Sequence, residues 1–220
     1  MEAIQWTKAN PKELAKDLID KFIAFPWDQY DGVKDNRPNE VTLLDCAISV
    51  CMGSRFNREG NYDDWKTFEQ YLKPSTDSFL SKFDCSISLE ENTSSVPQFL
   101  REFEGLCHQL PIAPNWRVAK LTKVLHRKRP RLIPMLDAVV QMTYCFGPKS
   151  KLWENRYPEN KEESIDRSIA ALHELRKELM LHLDTIQQVI YLAHEMGPST
   201  VPNSISCVRC LESLVYWRNR

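Results

Sequence analysis

Residues 164–197 read SIDRSIAALHELRKELMLHLDTIQQVIYLAHEMG. Ile165, Ile169, Leu172, Leu175, Leu179, Leu183, Ile186 and Ile190 recur at spacings of three and four, which puts them on one stripe of a helix. Most other positions are charged or polar, so the opposite face turns to water. Ser164 is placed to cap such a helix and Gly197 to end it. The spacing predicts one long amphipathic helix, and the same period governs the chain on either side.

Working outward, 204–218 predicts a last helix, and the polar stretch from Pro148 to Glu163 predicts a connection. Helices are expected at 97–109, 116–127 and 135–146, with a Ser-rich loop at 84–97. Residues 62–73 (YDDWKTFEQYLK) predict a short aromatic helix stopped by Pro74. Asp63 and Asp64 begin it and suit its dipole. Thr42 opens TLLDCAISVCMGSRF, with Asp45 three residues on, the spacing of a capping box. Asp45 is read as that cap or, alternatively, as a catalytic carboxylate. The segment PWDQYDGVKDNRPN is a turn-rich loop, and Asn10 is placed to cap a helix begun by Pro11. No strand alternation and no repeat is found. The expectation is an all-α fold of about eight helices, a single domain over 1–220 with a division into lobes 1–110 and 111–220 as the alternative.

At 220 residues, 42% hydrophobic and 27% charged, the chain has the composition of an ordinary globular domain. Six glycines leave little room for phosphate-cradling loops. No segment approaches the ~18 apolar residues of a membrane span, and the N-terminal stretch is not a secretion signal. The seven cysteines, odd in number and scattered through apolar stretches, suit a reducing, cytoplasmic setting. Cys207 and Cys210 form the one close pair. Without a second pair at ligand spacing they read as core thiols, with a metal or redox pair as the alternative. The histidines form no metal-binding spacing, so no metal and no cofactor is expected.

The charge is distributed unevenly. Arg117 to Arg131 (RVAKLTKVLHRKRPR) holds seven Lys or Arg and one His without an acid, in a chain of net charge -1. A helix through Leu125 would bury Leu121, Val124 and Leu125 and gather Arg117, Lys120, Lys123 and Lys128 near one another. A segregated basic face attracts phosphates. Arg117, Lys120, Lys123, His126, Arg127, Lys128, Arg129 and Arg131 are therefore the candidate contacts to duplex DNA. A solvated face balanced by acids elsewhere is the other reading.

KVLHRKRPRLIPMLDAVV, FPWDQYDG and VTLLDCAISVCMGSRF, with LRKELMLHLDTIQQV and CVRCLESLVYW, resemble a family of uncharacterised bacterial proteins known mainly from actinobacteria. More distantly, 110–140 resembles the helix-hairpin-helix DNA glycosylases, with LPIAPNWRVAKLTKVL as the hairpin. The hairpin is degenerate: Asn115 and Arg117 stand where both glycines belong, and Ala119 stands where bifunctional members carry a nucleophilic Lys. The resemblance implies a glycosylase-like helical bundle that binds DNA, with Asp137 as the catalytic carboxylate. It would stabilise charge on the deoxyribose as the base leaves. Trp27, Tyr30, Phe56 and Trp65 would line the pocket for an extruded base, or pack in the core. The residues alone equally read Asp137 as the cap of the helix that follows, and Asp31 and Asp45 as fallback carboxylates. A non-catalytic scaffold binding nucleic acid or protein is the alternative function.

Overall fold

The computed structural model describes residues 3, 4, 6–24, 30, 33, 36–52, 63–112, 116–146 and 161–219. Among them are ten α-helices and no strand. They are α1 (Pro11–Ala24), α2 (Leu43–Ser49), α3 (Asp63–Tyr71), α4 (Lys73–Ser81), α5 (Ser95–Cys107), α6 (Val118–His126), α7 (Ala138–Phe146), α8 (Lys161–Leu181), α9 (Leu183–Met196) and α10 (Cys207–Asn219). Single 3-10 turns lie at Trp6–Lys8, Val50–Met52 and Leu110–Ile112.

Local chemistry sets several of these boundaries. Asn10 caps α1 by accepting the Lys12 amide at 2.9 Å. Thr42 and Asp45 form the expected capping box, each side chain accepting from the other's backbone N–H.

The helix count exceeds the expected eight for two reasons. Pro74 does not merely stop a helix: it lies in the first turn of α4, where a missing N–H costs nothing. The long stripe of 164–197 is carried by two helices broken at His182, whose φ of -119° and ψ of 21° leave the helical region. The His182 ring stacks there on Trp6, with centroids 4.9 Å apart. Ser164 is not a cap, because α8 begins at Lys161 and encloses it.

Helix α8 is the spine, touching α5, α6, α7 and α10. Helix α1 packs on α9 and α10, far along the chain. Asp17 pairs with Arg218 at 2.7 Å, and the buried Lys21 ammonium lies 3.5 Å from the centre of the Tyr216 ring. Close packing holds there too, since a Cβ on Gly197 would stand 3.4 Å from Ile19. The start of the chain is tied to α8 through buried Glu178, which accepts Ala3 N at 2.7 Å, Ile4 N at 3.1 Å and Trp6 Nε1 at 2.7 Å. A cut at residue 110 would sever all of these contacts. The buried residues form one core. No described helix is long and apolar enough to cross a membrane.

Candidate functional site around Asp137

The basic stretch does not form the surface its charge predicts. Helix α6 buries Val118, Leu121, Val124 and Leu125 as its period requires. Beyond it the chain turns, and Arg127, Lys128 and Arg129 point inward. Asp45, fully buried, receives two of them: Arg127 Nε at 3.1 Å and Lys128 Nζ at 2.9 Å. Arg127 also donates to the carbonyls of Tyr30 and Val33, and Lys128 to that of Arg37.

Arg129 is 1% exposed. It donates through Nε to Phe83 O, through Nη1 to Pro38 O and Lys128 O, and through Nη2 to Leu80 O and Asn39 Oδ1. That uses every N–H a guanidinium has. These three residues are thus unavailable to phosphates, and burial is the reason: each is a tie to the 30–45 segment or to the end of α4. His126 is also buried. Its Nδ1 lies 2.5 Å from Ile133 O, and desolvation, reinforced by Arg209, holds its pKa well below the usual imidazole value.

Four of the predicted contacts stay nearer to water. Arg131 is exposed, and Arg117, Lys120 and Lys123 are half-buried along one side of α6. Lys120 reaches Asp64 Oδ2 at 3.1 Å, and Lys123 donates to Met52 O at 2.7 Å. Burial lowers the Lys123 pKa, while Asp137 and Glu212 oppose that fall.

Between the turn and α7 the chain runs inside without helix or strand. Leu132, Ile133, Pro134, Met135 and Leu136 are all buried. Buried backbone outside a helix needs partners for its polar groups, and side chains provide them. Thr122 Oγ1 accepts Leu136 N at 3.1 Å, Glu212 accepts Met135 N, and His126 meets Ile133 O. Ser206 Oγ donates to Pro130 O at 2.8 Å.

This segment ends at Asp137, half-buried. Its Oδ1 accepts Val140 N at 3.0 Å, so it does cap α7. Among the described residues its Oδ2 has no hydrogen-bond partner. Lys123, Glu212 and, through Glu212, Arg209 complete a charged group around it, drawn from α6, α7 and α10. Glu212 accepts from Arg209 as well as Met135, yet burial pushes its carboxyl up to about 7.

The predicted base pocket is not assembled among the described residues. Trp27, Phe56 and Asp31 lie outside them. Tyr30 is fully buried, donates to Lys123 O, stacks on His126 and carries the guanidinia of Arg127 and Arg209 at 5.4 and 5.6 Å from its ring centre. It packs the core. Trp65 stacks on Phe68, which in turn meets Trp116. Of the predicted hairpin turn, 113–115 are outside the described residues, Trp116 is buried and Arg117 is the residue preceding α6. Cys207 is half-buried and Cys210 fully buried, and burial raises both thiols, that of Cys207 to about 11. Protonated thiols of this kind pack as hydrophobes.

Arg209 and Glu212 escaped the reading of the sequence. Their signal was present: with Val208 and Val215 they occupy inward positions of α10, and charge at an inward position calls for a partner.

Fold and site together define a protein that is all-helical among its described residues, with a turn of buried cations tied to Asp45 and to backbone carbonyls and a half-buried carboxylate, Asp137, a few residues beyond it. The chain matches, over residues 18–219, the model of a family of unknown function, DUF6308, and belongs to that family. No curated protein and no solved structure matches it.

Proposed function

We propose that the chain binds nucleic acid and hydrolyses an N-glycosidic bond at Asp137, on a scaffold like that of the helix-hairpin-helix DNA glycosylases. The observation that carries this reading is the state of Asp137. One oxygen orients the carboxylate by capping α7, and the other, Oδ2, has no partner among the described residues. A carboxylate held in this way can stabilise positive charge developing on a sugar and orient water for attack. Lys123, whose ammonium feels the Asp137 charge, ends a half-buried line of cations, Arg117, Lys120 and Lys123, and phosphates would be met there and at Arg131. The 127–129 turn takes no part.

The test is Asp137→Asn. Asn caps a helix nearly as well, so stability should fall by no more than about 0.5 kcal/mol. Base release from duplexes carrying a panel of modified bases should drop by orders of magnitude while binding to the same duplexes persists. Equal release by both proteins would remove Asp137 from the chemistry. A second reading, a binding scaffold without activity, is favoured by the degenerate hairpin, in which Asn115 and Arg117 stand where both glycines belong. It predicts no base release by the wild type on any member of the panel.

A further inference from the structure

Helix α10 reaches the Asp137 site through a pair of charged residues. Glu212 and Arg209 are one turn apart, and both are buried. The Glu212 carboxylate has two jobs: one oxygen takes the Arg209 guanidinium, and the other takes the amide of Met135, two residues before Asp137. Arg209 is packed in its turn against the Met135 sulfur at 3.2 Å and over the Tyr30 ring. The segment 132–136 has no helical or sheet ladder of its own. Its first two amides, Leu132 N and Ile133 N, are held by Arg129 O, and the two nearest Asp137 are held by side chains, Met135 N by Glu212 and Leu136 N by Thr122.

We propose that Glu212, oriented by Arg209, is a positioning residue for Asp137: it fixes the buried segment that delivers the carboxylate. The catalytic half of this inference rests on the glycosidic reading above; the positioning half does not. The groups facing Glu212 are Arg209 on its own helix, Asp137 at the start of α7 and Lys123 on α6, with the Met135 amide. Glu212 titrates near 7, so the hold changes character within an accessible range: a carboxylate accepts strongly from Met135 N–H and Arg209, and a neutral carboxyl accepts weakly.

The experiment is an amide NMR titration of wild type, Glu212→Gln and Asp137→Asn. In the wild type the Met135 and Val140 amide signals should move together with a midpoint near pH 7, as Glu212 ionises. In Glu212→Gln both movements should vanish, with the rest of the spectrum retained. In Asp137→Asn the Met135 movement should remain. A Met135 signal that ignores pH in the wild type, or moves alike in Glu212→Gln, overturns the proposal.

Base release supplies the second readout. Glu212→Gln should lower kcat by about 100-fold with little change in KM, as expected for a reacting group displaced slightly, and should lose the wild-type inflection near pH 7. Loss of activity with that inflection intact overturns the catalytic half. If the wild type releases no base, the glycosidic reading fails, and the amide signals still decide whether Glu212 positions the segment.

Discussion

Arg129 has five N–H donors and five acceptors, and four of those acceptors are backbone carbonyls. A Lys in its place keeps the charge but offers three donors on a point-like head, so carbonyls would be stranded inside. Arg129→Lys is expected to cost about 2–4 kcal/mol, and Arg131→Ala, at an exposed site two residues away, less than about 0.5 kcal/mol. Urea unfolding of the two variants checks this, and equal midpoints would contradict the burial described. The pair also marks what charge counting could and could not reveal. Seven cations were plain in the sequence. Which of them faced inward was not, because orientation depends on acceptors contributed by 30–45 and 80–83, far away in the chain. The Asp45 capping box was legible, since it needs only four consecutive residues. That the same Asp45 also neutralises Arg127 and Lys128 was not.

Among elements, the least regular one matters most to the site. Helices were legible because a three-four spacing of apolar residues is a local property, and the caps at Asn10 and Thr42 follow from local chemistry. The break at His182 was not, because the stripe runs through it unaltered and its partner, Trp6, lies at the other end of the chain. The buried run 132–136 was equally hidden: an apolar stretch interrupted by a proline does not say which side chains will meet its amides. Thr122 is one of them. Thr122→Val keeps the shape but leaves the Leu136 N–H without its acceptor, an expected loss of about 1–3 kcal/mol. Faster hydrogen exchange at Leu136 should accompany it. An unchanged unfolding midpoint would mean that another group takes over the amide.

Over the whole molecule, stability should respond to pH through groups that oppose each other. His126 is held neutral in the fold, with its pKa well below the ordinary imidazole value of 6.5. Below 6.5 the unfolded chain therefore binds a proton that the fold refuses, and stability is lost as pH falls. Glu212 acts in the other sense. Burial raises its folded pKa to about 7, above the ordinary carboxyl value of 4.5, so stability is lost as pH rises between those values. Buried Glu178, also raised, adds to that second trend. The two trends oppose each other in mildly acid solution. His126→Gln removes one of them, and its stability should then fall with rising pH more steeply than the wild type's, by about 1.4 kcal/mol per unit below pH 6.5. Unfolding midpoints in urea at several pH values measure the difference. Parallel curves would show that His126 is not held neutral.

The ties described at Arg127, Lys128 and Arg129 span roughly ninety residues of chain where they reach Tyr30, Val33, Arg37, Pro38 and Asn39. Those from Glu178 to Ile4 and from Arg218 to Asp17 span 174 and 201. A ribosome makes one partner of each tie long before the other. The opening helix therefore emerges with its apolar side bare and cannot settle until α9 and α10 have followed it out. Closing such large loops is slow, because the chain's freedom is given up before the distant contacts repay it. During synthesis the first part of this protein keeps apolar surface uncovered, for a time set by the rate at which the remainder is translated.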